Sequence, residues 1–206
     1  PLFCAEHFNQ VAIECDRRGL QISVHAIGDA AVRRTLDGYQ AGRETVGQRD
    51  SRHRIEHIEI IDRADIPRLA EMGVIASMQP LHGAGAGYFP LEPSVTRIGD
   101  KLPRAYAWQT LRQTGARMIF SSDWPVSPID PLRSVKTAMT RPSLRADIPD
   151  QRQSLMDSLA GYTRDGAYAE FMEDRKGQLS PGMLADIIVL SADIEQVEPE
   201  NIDEMR

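Results

Sequence analysis

Five histidines occur in the chain, and two of them, His25 and His57, stand where an extended apolar segment stops. A carboxylate holds the corresponding place in a third segment: Asp123 follows the run Arg117 to Ser121 and precedes the Trp124-Pro125 stop. Imidazole, imidazole and carboxylate drawn from separate strand ends are the ligand types of zinc or a similar divalent ion. A lone histidine at a strand end is usually a hydrogen-bonded structural residue. Three such groups at equivalent places favour a shared task. His82, in the loop after Pro80, is a candidate substrate contact, with a solvated loop histidine as the plainer reading.

The second of these segments, Arg52-His53-Arg54-Ile55-Glu56-His57, is crowded with charge, whereas buried parallel strands are ordinarily runs of Val, Ile and Leu. It also fits His-x-x-Glu-His, which in one class of metallopeptidase lies on a helix and sets two histidines on one face. The β-branched run Ile58-Glu59-Ile60-Ile61 that follows favours a strand instead.

These residues need elements to position them, and the pattern supplies an alternation of helix and strand. Phe8, Val11, Ala12 and Cys15 recur at helical spacing up to Gly19, a residue suited to a left-handed cap. Leu20 to His25 alternates as a strand, with Gln21, Ser23 and His25 on one face. Gly28-Asp29 opens a helix with Val32, Leu36 and Tyr39 inside, and the unit recurs with strands at 54–58, 74–78 and 117–121. Helices are expected around Ile66 to Ala70, around Ala105 to Leu111, from Asp130-Pro131, and over 155–162 and 167–171. The fold class is therefore α/β with a parallel sheet, and functional groups in such folds collect at the carboxyl ends of the strands. The Gly83-Ala84-Gly85-Ala86-Gly87 tract lacks the lysine and helix of a phosphate loop and reads as a lid segment. After Gly177 and the Pro181-Gly182 turn, Ala185 to Leu190 reads as a strand of a new unit, giving expected domains of 1–177 and 178–206.

The stretches His25-Ala26-Ile27-Gly28-Asp29-Ala30-Ala31, Arg52 to His57, Ser77-Met78-Gln79-Pro80, Ser121-Ser122-Asp123-Trp124-Pro125 and Gly182 to Leu190, taken in order, resemble amidohydrolase family 3. This is the branch of the metal-dependent amidohydrolases that includes N-substituted formamide deformylases. The resemblance implies the second half of a distorted eightfold β/α barrel, ending in the start of a small β-sandwich. It implies His25 and His57 as metal ligands and Asp123 as both a ligand and the catalytic carboxylate. It further implies a divalent metal, zinc first, and hydrolysis of a carbon–nitrogen bond in a small non-peptide amide or formamide. The family's His-x-His pair does not occur in this chain, and none of the three lysines, Lys101, Lys136 and Lys176, ends an apolar strand as its bridging lysine does. The expectation is thus an inactive piece of an active parent. A His-x-x-Glu-His peptidase and a non-catalytic ligand-binding fragment are the alternatives.

Composition narrows the partners. A net charge of −6 without a Lys/Arg cluster argues against a phosphate backbone, so no nucleic-acid partner is expected. No apolar run reaches the roughly 20 residues of a membrane helix, and no membrane partner is expected. Cys4 and Cys15 match neither a redox pair nor a zinc ribbon and read as packed thiols of a reducing, cytoplasmic compartment. The chain opens at Pro1 without methionine and closes at Arg206 just after a new strand, which reads as part of a longer protein. The expected partners are a small amide substrate and a second copy of the chain, joined through open sheet edges.

Overall fold

The computed structural model describes residues 3–86 and 88–206. Pro1, and Gly87 of the expected lid tract, lie outside the described residues. Four short strands, β1 (Ser23–Ala26), β2 (Arg54–His57), β3 (Ile75–Met78) and β4 (Met118–Phe120), form one sheet in the order β1-β2-β3-β4. The β1–β2 and β2–β3 pairs are parallel. The β3–β4 ladder carries the Ala76 N–H to the Arg117 carbonyl at 2.9 Å and the Ser121 N–H to the Met78 carbonyl at 3.0 Å. β3 and β4 are buried throughout, while β1 and β2 are mixed.

The chain divides into two compact units. The first holds residues 1–77 and 104–118. In it α1 (Ala5–Arg17) lies against α2 (Asp29–Val46), burying Phe8 and Ala12 along with Val32, Leu36 and Tyr39. Gly19 takes φ +71° just past the end of α1, and Gly73 takes φ +67° past α3 (Ile66–Met72), the left-handed caps that the sequence pattern implies. The loss of a buried Leu36 or Ile55 side chain would forfeit about 2–5 kcal/mol, which makes these positions the foundation on which β1 and β2 rest. Completing this unit is α5 (Trp108–Gln113), in contact with α3, where Trp108 and Leu111 are buried.

The second unit holds residues 78–103 and 119–206. It contains a 3-10 turn at Pro80–His82, α4 (Ser94–Ile98), most of a 3-10 segment at Gly99–Arg104, α6 (Pro131–Thr140), α7 (Leu155–Tyr162), α8 (Arg164–Ala169) and a 3-10 turn at Pro199–Glu204. Asp130 caps α6, its carboxylate accepting the Leu132 and Arg133 N–H groups, with proline at the first helical position. Ile202 is fully buried, and Lys136 of α6 pairs with Asp203 at 2.8 Å.

Several expectations are corrected. Leu20 to Ile22 lie outside β1, and Leu20 is exposed, because those residues cross to Arg49 and His53 before the ladder begins. Val11 of the helical stripe is exposed as well. Ala185 to Leu190 form no strand: an apolar β-branched run becomes a strand only with a ladder partner, and here Ile187, Ile188 and Val189 face solvent. The glycine tract is a tied loop in its described part, with Gly83 and Ala84 buried and the Ala86 N–H bonded to the Gly83 carbonyl at 2.9 Å. Among the described residues no helix is long and apolar enough to cross a membrane.

Candidate metal centre

In the first unit, β1 and β2 bring two imidazoles together. Ladder register sets His25 beside Glu56 and Ala26 beside His57, so a regular strand would leave the two histidines on opposite faces. The backbone breaks that regularity at the last residue of β2. His57 takes φ +80° and Ile58 φ +45°, both in the left-handed region that non-glycine residues avoid. A β-branched residue there is a genuine outlier, and each such residue costs about 1–3 kcal/mol, held by its surroundings. Ile58 is fully buried, and its N–H still reaches the Ala26 carbonyl at 3.1 Å. With the strand turned in this way, the His25 and His57 rings meet edge to face with centroids 4.5 Å apart. Strain of this kind collects at functional sites, and here it presents one imidazole to another.

The charge inside β2 has a structural partner set. Glu56 accepts from Ser23 Oγ at 2.6 Å and pairs with Arg54 Nε at 3.1 Å. The residues after β2 run on beside the end of β1, with the Ile60 N–H bonded to the Ile27 carbonyl at 3.0 Å and the Tyr106 N–H to the Glu59 carbonyl at 2.8 Å. Burial raises the Glu59 carboxyl above its ordinary value, and the Tyr106 hydroxyl, 3.4 Å from Glu59 Oε2, opposes that shift.

In the second unit, His82 and Asp123 are neighbours, with His82 Nε2 lying 3.9 Å from Asp123 Oδ2. Asp123 does not share a strand face with Ser121 and Ile119, as strict alternation would require. β4 ends at Phe120, and Asp123 sits three residues beyond it at φ +55°. Its loop is closed by hydrogen bonds: Gln79 Nε2 donates to Ser121 Oγ at 2.8 Å, the Val126 N–H to the Asp123 carbonyl at 2.8 Å, and Ser127 Oγ to the Ser122 carbonyl. His82 is buried in the 3-10 turn at 80–82, its ring edge-on to Phe89 with centroids 5.2 Å apart. It is therefore a packed residue and not a solvated loop histidine.

His53 and His57 do not form one face of a helix. Residues 54–57 are strand, and His53 is committed to other partners: its Nε2 lies 3.0 Å from Asp16 Oδ1, and its Nδ1 accepts the Ile22 N–H at 3.1 Å. Four strand residues separate the two rings' backbones by about 13 Å at the usual rise, well beyond a shared ion. The Asp16–His53 pair was not legible as a unit, since its members lie 37 residues apart. The only signal was the unusual polarity of Arg52-His53-Arg54 at the start of a buried strand.

A family model, the amidohydrolase family, matches residues 1–206. The chain is 35% identical over 191 residues to the protein LONG AFTER FAR-RED 3 of Arabidopsis thaliana, covering 90% of this chain and 32% of that protein. It is 23% identical over 187 residues to an N-substituted formamide deformylase of Arthrobacter pascens, covering 90% of this chain and 34% of that protein. Among solved structures, a metal-dependent hydrolase from Pyrococcus furiosus superposes with a TM-score of 0.75 at 27% identity, covering 96% of this chain and 38% of the other. The chain thus spans about a third of the length of the curated relatives it matches. The fold class is α/β, with the parallel sheet of a partial β/α barrel of this hydrolase type.

Proposed function

We propose, because this chain belongs to the amidohydrolase family, that it carries part of a metal-dependent hydrolase site acting on the carbon–nitrogen bond of a small non-peptide amide or formamide. His25 and His57 supply two imidazoles, and Asp123 the carboxylate, to a divalent cation, with zinc as the first choice. The donor set fits such an ion: neutral imidazole and carboxylate are its ordinary ligands, and the His25 and His57 rings already lie together. The cation, when bound, would polarise the scissile carbonyl and bring the pKa of water toward neutrality.

The chain's own residues then move the proton. Asp123 accepts it from the attacking water and returns it to the departing nitrogen, the general base and acid role of a carboxylate in a cleft. The Asp123 side chain keeps 40% of its accessible surface, leaving it open to a substrate. His82, oriented by the Phe89 ring, contacts the substrate next to Asp123.

The observation that carries this reading is the strained end of β2, where positive φ at His57 and Ile58 accompanies the meeting of the His57 and His25 rings. Its test uses the longer protein with an N-substituted formamide. Turnover is expected there and is lost in Asp123→Asn, which keeps the side chain's size but removes its charge. The 206-residue chain alone, lacking a His-x-His pair, is expected to show negligible turnover with zinc or manganese. Robust turnover by the chain alone, abolished by His53→Ala and untouched by Asp123→Asn, would overturn the assignment.

Residues 178–206 are proposed as the start of the small β-sandwich of such hydrolases, a reading supported by the exposed Ile187, Ile188 and Val189. Self-association through β1 and β4, the outer strands of the sheet, is proposed on the same footing. Cys4 is exposed and Cys15 half-buried, so they are not both packed as expected; both are free thiols, which supports a cytoplasmic location.

A further inference from the structure

At the amino ends of β1 and β2 lies a buried polar cluster for which the proposed reaction has no use. His53 and Asp16 are 4% and 5% exposed. The His53 Nδ1 accepts the Ile22 N–H, so in the neutral ring the proton resides on Nε2, which donates to Asp16 Oδ1 at 3.0 Å. Arg49 lies 2.8 Å from the same carboxylate oxygen and also donates to the Leu20 carbonyl. Gln21 Nε2 donates to the Arg52 carbonyl at 2.7 Å. The Tyr39 ring lies over His53 with centroids 4.7 Å apart, and its hydroxyl donates to the Arg54 carbonyl at 2.8 Å.

These bonds meet where the β1–β2 ladder begins. The first paired residues are Ser23 and Arg54, and the Arg54 N–H donates to the Ile22 carbonyl at 2.9 Å. The imidazole therefore takes the Ile22 N–H, one residue before the ladder's first pair. A slip of one residue would move that N–H off Nδ1 and reverse the face of every side chain in the strand. The register so fixed is the one that aligns Ala26 with His57 at the other end.

We propose that His53 is a positioning residue, a proton-sensitive lock that sets the register of β1 against β2 and thereby holds the His25–His57 pair from the opposite end of the strands. The inference concerns the geometry of that pair and stands without any bound metal; only its consequence for hydrolysis rests on the proposed function. A doubly protonated His53 would turn a second N–H toward the Ile22 N–H, so the lock exists only with the ring neutral. The charged and titratable groups around the ring are Asp16 from α1, Arg49 from the segment before β2, and Tyr39 and Arg43 from α2. Tyr39 stays a neutral phenol, raised well above its ordinary value by burial. Met72 and Val74, on the α3–β3 side, bring no charge. Burial lowers the His53 pKa below its ordinary value against the opposing pull of Asp16. A cleft of about 40 Å³ bordered by Arg43, Ser51 and His53 has room for water and lets protons reach the ring.

The experiment is NMR on the ¹⁵N-labelled chain. In wild type at about pH 7.5, the His53 ring is expected in the Nε2–H form, and the two rings of His25 and His57 to show a mutual NOE. On lowering the pH stepwise from there until the His53 ring itself is seen to protonate, the Ile22 amide, corrected for intrinsic exchange, is expected to lose about tenfold in protection as the ring titrates, the size of one lost hydrogen bond. His53→Gln offers an acceptor and a donor on one uncharged group; in it the NOE persists and the Ile22 protection no longer depends on pH. His53→Ala loses the NOE. Should the alanine variant fail to fold, wild type and His53→Gln decide by themselves. An Nδ1–H tautomer in wild type, pH-independent protection of Ile22 in wild type, or unchanged pH dependence in His53→Gln would each overturn the proposal.

Discussion

The two ends of β1 and β2 are built on opposite principles. At the amino end, Asp16, Arg49, His53 and the Ile22 amide are joined by hydrogen bonds, Gln21 donates to the Arg52 carbonyl beside them, and the two groups at the centre, Asp16 and His53, are buried. Across the strands, the carboxyl end holds His57 and Ile58 at positive φ, with His25 exposed. One end ties the strands together by hydrogen bonds, and the other stores strain where one imidazole meets another. Substitutions should therefore fall into two classes, those that unfold the chain and those that disarm it.

The largest effect is expected from Asp16→Ala. It removes the acceptor of the buried His53 Nε2–H and leaves the half-buried Arg49 guanidinium only the Leu20 carbonyl, and removal of one partner from such a cluster costs about 3 kcal/mol. Urea unfolding followed by far-UV circular dichroism reads this directly. A cost near zero would mean that the cluster is solvated and contributes no hold on the strands.

Gly42→Ala comes next, and its sign sharpens the comparison. Alanine in a helix interior ordinarily gains up to about 1 kcal/mol over glycine. At Gly42 a Cβ would lie 2.5 Å from Asp16 Oδ2 and 3.5 Å from the Ala12 carbonyl oxygen. The expected result is a loss of about 1–3 kcal/mol through a displaced carboxylate. A more stable variant in thermal unfolding would show that α1 and α2 separate freely at this crossing.

The opposite class is represented by Asp123→Gly, in the second unit. The residue is at φ +55° with a side chain 40% accessible, so glycine relieves backbone strain and loses little packing. Stability is expected to hold or to rise by up to about 1 kcal/mol, while turnover in the longer protein disappears. A destabilised variant would assign Asp123 a structural role.

The smallest effect is a pH dependence, and its direction follows from His53. Burial lowers its folded pKa below the unfolded value, so the unfolded chain binds the proton more readily. The stability contributed by the neutral ring is complete above the ordinary histidine range, near pH 6.5, and declines as the pH falls below it toward the depressed folded value. Urea unfolding at a series of pH values should show that decline in wild type and a flatter profile in His53→Gln. A profile that rises on acidification would reverse the assignment.

How much of this was legible beforehand depends on how local each signal was. The alternation of helix and strand, the αL glycines at 19 and 73, and the Asp130-Pro131 start of α6 are local patterns, and each formed. His25 and His57 were legible as strand ends because apolar runs stop there. What brings their rings together was not: φ +80° at a histidine and +45° at an isoleucine contradict local preference and exist only because tertiary packing overrides it. The bond from Asp16 to His53 spans 37 residues, and no periodicity announces it. Ala185 to Leu190 failed in the other direction, with a strand pattern present and no ladder to receive it.

The central claim is that the carboxyl end of β1 and β2 supplies ligands to a divalent metal and the amino end does not. Calorimetric titration of the 206-residue chain with zinc tests it most directly, using wild type, His25→Ala, His57→Ala and His53→Gln. The account predicts one weak site per chain in wild type and in His53→Gln, with affinity reduced at least about tenfold in His25→Ala and in His57→Ala, the cost of one lost ligand. Equal affinity in all four proteins, or a loss confined to His53→Gln, would contradict it.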